Sequence, residues 1–108
     1  MPQHRLQTWG CIEREEMPES VVGLYAFWYR PTGRCIYIGK AKDQPIKKRL
    51  YNHWRGVSSN DTLQLWLKAF ASHMDFCYIS VKQDYIDRWE RRLIRRWHPE
   101  ANKQFKEY

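Results

Sequence analysis

The chain has 108 residues, which is enough for one hydrophobic core and too few for two. Apolar residues make up 43% of the chain and aromatic residues 16%, a composition that excludes disorder and predicts a packed core. Lysine and arginine outnumber aspartate and glutamate by 19 to 12, so the surface should attract polyanions such as nucleic acid. Charge alone is equally compatible with simple solubility.

Residues 1–20 show no clear periodicity and end in a turn-prone segment, so we expect an N-terminal arm ahead of the folded domain. Two runs rich in β-branched and aromatic residues follow, at 21–30 and 34–40. The Pro-Thr-Gly segment between them ends at Gly33, which can take the left-handed conformation without strain. These features predict a β-hairpin.

The register of this hairpin follows from its loop. If Arg30 lies opposite Arg34, position 27 faces 37 and position 25 faces 39. Side-chain alternation then places five residues on one face of the sheet: Tyr25, Phe27, Tyr29, Tyr37 and Gly39. Tyr25 and Tyr37 become diagonal neighbours.

Helical periodicity predicts three helices, with one more strand between the second and the third. The first helix spans residues 45–54 and ends near Gly56. The polar segment 58–61 supplies N-cap chemistry for the second helix, whose apolar stripe indicates a scaffold role.

The last two elements are a strand over residues 76–81 and a helix over residues 85–98. Asp84 is placed to cap this helix, and Pro99 ends it. The order strand, strand, helix, helix, strand, helix predicts one sheet covered by helices.

The last helix carries the strongest chemical signal. At about 100° per residue, Glu90 falls within the apolar stripe that contains Ile86 and Ile94. A carboxylate aimed at the core is costly unless a cation is beside it. A divalent metal would satisfy Glu90, and so would a structural pair with a basic residue such as Arg49; helix geometry leaves both open.

Five arginines fall on the opposite side of this helix: Arg88, Arg91, Arg92, Arg95 and Arg96. They form either a solvated face or a DNA contact. On the first helix, Arg49 and His53 stand four residues apart and therefore share a face next to the apolar stripe. We expect Arg49 and His53 to point to a common place.

Gly23-Leu24-Tyr25 and, later in the chain, Tyr37-Ile38-Gly39 resemble the paired tripeptides of the GIY-YIG nucleases, with leucine in place of the first isoleucine. The remaining positions of the family pattern follow in order: Lys40, Arg49, His53, Glu90 and Asn102. Two tripeptides followed by five further positions in suitable elements are a specific signal. The resemblance covers residues 21–104 and leaves 105–108 as a C-terminal tail.

The resemblance implies an α+β fold, with a three-stranded antiparallel sheet flanked by three helices in the order β-β-α-α-β-α. It also implies hydrolysis of DNA phosphodiester bonds with a single Mg²⁺ or Mn²⁺ ion held by Glu90. The catalytic residues would be Tyr25, Tyr37, Arg49, His53 and Glu90. The nucleic-acid contacts would be Lys40, Lys47, Lys48 and Asn102, of which the Asn102 amide could hold its loop instead of binding phosphate.

Each catalytic residue has an expected task. Arg49 would clamp the scissile phosphate as negative charge builds. Tyr25 or Tyr37 would orient or deprotonate the attacking water, and the pattern does not choose between them. His53 is expected to titrate near neutrality, to relay the proton and to give activity an acidic limb.

The principal alternative is a nucleic-acid-binding module of the same fold without turnover. RNA stays open as a substrate beside DNA, and a homodimer or a larger targeting partner is compatible with the pattern. The three cysteines have neither disulfide nor zinc-site spacing, and no apolar run is long enough to span a bilayer. We therefore expect a cytoplasmic protein with no membrane partner.

Overall fold

An antiparallel sheet with helices packed on both faces forms the folded part of the chain, of which the computed structural model describes residues 4–5, 20–57 and 60–102. The strands are β1 (His4–Arg5), β2 (Gly23–Tyr29), β3 (Arg34–Ala41) and β4 (Met74–Ser80). The helices are α1 (Ile46–Trp54), α2 (Asp61–Phe70) and α3 (Ile86–Trp97), with 3₁₀ turns at Ala71–His73 and Gln83–Tyr85. The predicted α+β class and the order of these elements are confirmed.

The sheet has the strand order β1-β4-β2-β3, so β2 lies inside it and β3 lies at one edge. β1 pairs with β4 through His4 opposite Phe76 and Arg5 opposite Asp75. These two residues belong to the segment expected to be an arm, and they add a short fourth strand to the three predicted ones. The rest of that arm before residue 20, and the tail at 105–108, lie outside the described residues.

The hairpin of β2 and β3 keeps the predicted pairs Tyr25–Gly39 and Phe27–Tyr37. The predicted pairing of Arg30 with Arg34 is wrong, because the register shifts after Phe27 and Arg34 lies opposite Tyr29. The turn explains the shift. Gly33 takes a φ of 70° and donates its N–H to the Tyr29 carbonyl at 2.9 Å, which closes a four-residue loop.

The helix termini agree with the prediction at α2 and differ from it at α3. The Asn60 side chain accepts a hydrogen bond from the Leu63 N–H at 2.9 Å, as expected of an N-cap. Asp84 does not cap α3, whose N-terminus receives no side-chain hydrogen bond. A 3₁₀ turn precedes this helix instead, and within it the Tyr85 N–H bonds to the Lys82 carbonyl.

Two hydrophobic cores lie on the two faces of the sheet. The first contains Tyr25 and Phe27 from β2, together with buried residues of α1 and α2 such as Leu50 and Leu63. The second contains Ala26 from β2 and Ile94 from α3. In the part of the chain that the structure describes, no helix is long and apolar enough to cross a membrane.

Candidate active site

A tyrosine and a histidine meet in the core between β2 and α1. The Tyr25 hydroxyl lies 2.6 Å from Nε2 of His53, and the two side chains are 1% and 3% exposed. The half-buried Tyr37 completes this group, with its ring centroid 5.5 Å from that of His53 and 6.2 Å from that of Tyr25. The predicted proximity of both tyrosines to His53 is therefore present.

The glycines of the two tripeptides are required by close packing. A Cβ at Gly39 would overlap the ring of Tyr25 and lie only 2.5 Å from its hydroxyl oxygen. A Cβ at Gly23 would overlap the Ile79 carbonyl of the neighbouring strand. Gly39 therefore leaves the space that the Tyr25 ring occupies over β3, and Gly23 allows β2 to approach β4.

Burial sets the protonation states of this group. Desolvation raises the pKa of both Tyr25 and Tyr37, while the positive charge of Arg49 opposes the shift in each. Desolvation and, to a lesser extent, the nearby Arg49 charge lower the pKa of His53 to about 3. The expectation that His53 titrates near neutrality is therefore wrong, because the imidazole lies in the core and stays neutral.

The pKa of His53 predicts how stability should change with pH. Since folding lowers this pKa from 6.5 to about 3, the unfolded chain binds more protons between these values, and stability is lost as pH falls below about 6.5. Between pH 7 and pH 4.5 this histidine should remove about 3 kcal/mol from the free energy of unfolding. Urea denaturation of the wild type and of His53→Gln at both pH values would measure the difference.

His73→Gln is the matched control, because His73 is exposed and the substitution is the same. The stability loss on acidification should be smaller in His53→Gln than in the wild type, and His73→Gln should behave like the wild type. An unchanged pH dependence in His53→Gln would contradict a buried neutral His53.

Arg49 lies on the flank of α1 with an unsatisfied donor. Its Nε atom is buried and has no hydrogen-bond partner in the described structure, and the same holds for the Gln44 Oε1 atom. The side chains of Arg49 and Gln44 line a polar cleft of about 260 Å³, together with Lys40, Lys42 and Asp43. Buried polar atoms without partners are costly, so this cleft is suited to a polar ligand.

Glu90 is buried on the inner side of α3, as its helical position predicted, and is 5% exposed. Desolvation raises its pKa, and the Lys40 ammonium opposes the shift. Oε1 of Glu90 lies 3.5 Å from Nζ of Lys40, which also bonds Oδ1 of Asp87 at 2.8 Å. The neighbouring cation is thus Lys40 rather than the Arg49 that the sequence suggested.

Groups from both faces of the sheet influence one another around the edge strand β3. Desolvation is the largest cause of the raised pKa of Tyr25 and Tyr37. The negative charge of Glu90 adds to this rise in both tyrosines, and the positive charge of Arg49 opposes it. Tyr25 and Tyr37, which both contact His53, therefore lie within electrostatic reach of both Arg49 and Glu90.

The four predicted nucleic-acid contacts differ in their surroundings. Lys40 borders the cleft but is paired with two carboxylates. Lys48 is exposed and Lys47 is half-buried, and in the described structure neither lines the cleft. Asn102 is 1% exposed and bonded to the Ile38 backbone, which agrees with the loop-holding role and not with a contact to nucleic acid.

Asn102 instead stabilises the outer edge of β3. Its Oδ1 accepts from the Ile38 N–H and its Nδ2 donates to the Ile38 carbonyl, both at 2.8 Å. The preceding Ala101 N–H bonds the Ile36 carbonyl at 2.7 Å. The segment after α3 thus satisfies backbone groups that an edge strand would otherwise leave unpaired.

Four residues of the site were missed by the sequence reasoning: Lys42, Asp43, Gln44 and Asp87. The first three follow β3 directly, and loops after strands often carry functional side chains. Asp87 stands three residues before Glu90 and therefore shares its side of α3. Both signals were present in the sequence.

The residues around Glu90 fit a divalent ion bound mainly through water. Glu90 supplies one buried carboxylate and Asp87 supplies a second, and both lie beside the Lys40 ammonium. Among the described residues there is no group of three or more histidine, cysteine or acidic side chains that could hold a metal. Mg²⁺ suits such a place, because it keeps several waters and needs only one or two carboxylates.

Comparison with solved structures identifies the fold. The GIY-YIG N-terminal endonuclease domain of UvrC from Thermotoga maritima matches with a TM-score of 0.60 at 21% identity, covering 86% of this chain and 96% of that domain. That structure is bound to its catalytic divalent cation. The catalytic domain of the homing endonuclease I-TevI matches with a TM-score of 0.55 at 20% identity, covering 71% of this chain and 88% of that domain.

The sheet and helices of this chain therefore form a nuclease fold. More particularly, the fold is that of the GIY-YIG endonuclease domains, as the two tripeptides indicated. No sequence-family profile matches the chain, and no curated protein sequence matches it.

Proposed function

We propose that this protein is a divalent-metal-dependent endonuclease that hydrolyses DNA phosphodiester bonds. The observation that carries the proposal is the basic cleft lined by Arg49 and Gln44, each of which also has a buried polar atom without a partner in the described structure. A phosphodiester offers anionic oxygens that accept from a guanidinium, and Lys40 and Lys42 add positive charge around the cleft. The fold and the net charge of +7 agree with a nucleic-acid substrate.

Arg49 binds the scissile phosphate in this mechanism. Its charge is permanent, its side chain lines the cleft, and its buried Nε has no partner in the described structure, so the guanidinium has donor capacity left for a phosphate oxygen. Negative charge on the phosphate grows in the transition state of hydrolysis, and a fixed guanidinium stabilises that charge more than it stabilises the ground state.

Tyr37 is the phenol that orients the attacking water. It is half-buried, whereas Tyr25 is enclosed and bonded to His53. Nε2 of the neutral His53 can accept a hydrogen bond from the Tyr25 hydroxyl, which leaves the Tyr25 oxygen free to accept one from a neighbouring donor. Tyr25 and His53 therefore position the site, and Tyr37 is the phenol nearer to solvent.

Glu90, with Asp87 beside it, would hold a single Mg²⁺ or Mn²⁺ ion. When bound, the ion would neutralise charge on the phosphate and stabilise the departing oxygen. Lys40 occupies the cationic position beside both carboxylates in the described structure. With an ion beside these carboxylates, the Lys40 ammonium could turn toward the cleft that it lines and contact the DNA backbone there.

Incubation with supercoiled plasmid tests the proposal directly. We expect nicking in the presence of Mg²⁺ or Mn²⁺ and none in excess EDTA. Labelled duplex, flap, junction and single-stranded DNA, with an RNA strand for comparison, would identify the substrate and map the cuts. Binding of these strands without any metal-dependent cleavage would reject the endonuclease and favour a binding module of the same fold.

A further inference from the structure

The outer side of α3 carries arginines stacked against aromatic rings. The Arg88 guanidinium lies 5.8 Å from the ring centroid of Tyr85, and that of Arg92 lies 5.4 Å from the ring of Trp89. A third pair joins Arg96 to the ring of the next residue at 5.5 Å. We call this surface the arginine–aromatic stripe, formed by Tyr85, Arg88, Trp89, Arg92 and Arg96.

The aromatic side chains of the stripe are exposed far more than core packing requires. Trp89 is 43% exposed and belongs to neither hydrophobic core of the described structure. Tyr85 is 46% exposed. Large aromatic rings grouped on a surface mark a binding face, and here they lie beside arginines rather than beside other apolar residues.

The charge of the stripe has a single sign. Within residues 20–57 and 60–102, no carboxylate forms an ion pair with Arg88, Arg92 or Arg96. The two acidic residues of α3, Asp87 and Glu90, are directed to Lys40 instead. The stripe is therefore complementary to a polyanion that also offers flat rings.

We propose that the arginine–aromatic stripe binds a single strand of nucleic acid, with arginines on phosphates and aromatic rings against bases. Trp89 lies four residues after Tyr85, which corresponds to about 6 Å along the helix axis. This spacing exceeds the 3.4 Å step of a duplex strand, and duplex bases are not open to stacking. An extended single strand fits both conditions.

The position of the stripe separates it from the cleavage site. Glu90 projects from the inner side of α3, and the stripe covers the outer side of the same helix, which is about 10 Å thick. A strand on the stripe is therefore not the strand being cut. The inference rests on the proposed function for the identity of the polyanion. The substrate would be DNA with a single-stranded branch or overhang next to the cut.

Fluorescence anisotropy with a labelled oligothymidylate of about 20 nucleotides, in EDTA so that no cleavage occurs, tests the proposal. Trp89→Ala should weaken binding about tenfold, and Trp89→Phe should restore most of the affinity because a ring remains. Arg92→Gln with Arg96→Gln should weaken binding by a similar factor and reduce the slope of log affinity against log salt by about 1.4.

The matched control removes the same charge from the other face of the sheet. Arg55→Gln with Lys68→Gln lies on the α1–α2 side and should change affinity by no more than about twofold. Circular dichroism melting of each variant checks folding. The proposal is overturned if the stripe variants bind oligothymidylate as tightly as the control variant does. It is also overturned if they keep oligothymidylate binding and lose only the binding of an acidic peptide such as polyglutamate.

The outcomes also distinguish this proposal from the endonuclease proposal. Binding is measured without metal. If the wild type never nicks DNA but the stripe variants lose oligothymidylate binding, only the endonuclease proposal is rejected. If the wild type nicks DNA and the stripe variants keep full oligothymidylate binding, only the proposal about the stripe is rejected. If both hold, flap DNA should be cut faster than plain duplex by the wild type, and this preference should disappear in Trp89→Ala.

Discussion

Glu90→Gln should lower the rate of metal-dependent nicking by about a thousandfold and leave the protein folded. Glutamine keeps the shape of the side chain but loses the charge that would hold a divalent ion. The pKa of Glu90 is already raised by desolvation, and Lys40 keeps its bond to Asp87 in the variant. The fold should therefore tolerate the change, and a single-turnover nicking assay with Mg²⁺ would measure the effect.

Glu100→Gln is the matched control, because Glu100 is ion-paired with Arg34 away from the cleft and undergoes the same chemical change. Its nicking rate should stay within about twofold of the wild type. Electron paramagnetic resonance of Mn²⁺ supplies a second readout, in which Glu90→Gln should lose binding and Glu100→Gln should keep it. Wild-type nicking by Glu90→Gln would reject the metal site at this residue.

Arg49→Ala should slow nicking by about a hundred- to a thousandfold, the range found when one donor to a transition-state oxyanion is removed. The alanine variant loses the only predicted phosphate clamp and the charge that opposes the rise in the pKa of Tyr37. Arg49→Lys should recover part of the rate, because it restores the charge without the fork of donors. Rates at saturating DNA separate this effect from weaker binding.

Arg55→Ala, near the end of the same helix, is the control for Arg49→Ala. Arg55 is exposed and lies over the ring of Tyr51, and it does not line the cleft in the described structure. It should nick DNA at nearly the wild-type rate. If Arg49→Ala lowers only the affinity for DNA and not the rate of the bound complex, Arg49 has no role in the transition state.

Some parts of the site were predictable because they depend on local patterns. Helical period alone placed Glu90 among Ile86 and Ile94 and placed the arginines of α3 in solvent, and burial agrees with both. The four-residue spacing of Arg49 and His53 likewise placed them on one side of α1. Such periodicities are properties of a single element, so no knowledge of its neighbours is needed.

Other parts depended on contacts between distant segments. The partner of Glu90 is Lys40 rather than Arg49, because α3 and α1 pack on opposite faces of the sheet. Asn102 bonds Ile38 across 64 positions of sequence, and this contact makes it structural rather than a nucleic-acid ligand. No spacing in the sequence specifies which elements meet.

The amino-acid sequence by itself determined the elements, their order, the tripeptide pattern and the residue types of the site. Only the tertiary structure decided the hairpin register near its turn, the cation beside Glu90 and the protonation of His53. The physical reason is that hydrophobic period and turn chemistry act over a few neighbouring residues, whereas pairing and desolvation depend on the elements packed against a residue. Tyr25, His53 and Gly39 illustrate the second case. The Tyr25 ring can lie where it bonds His53 because Gly39 has no side chain to occupy the same space.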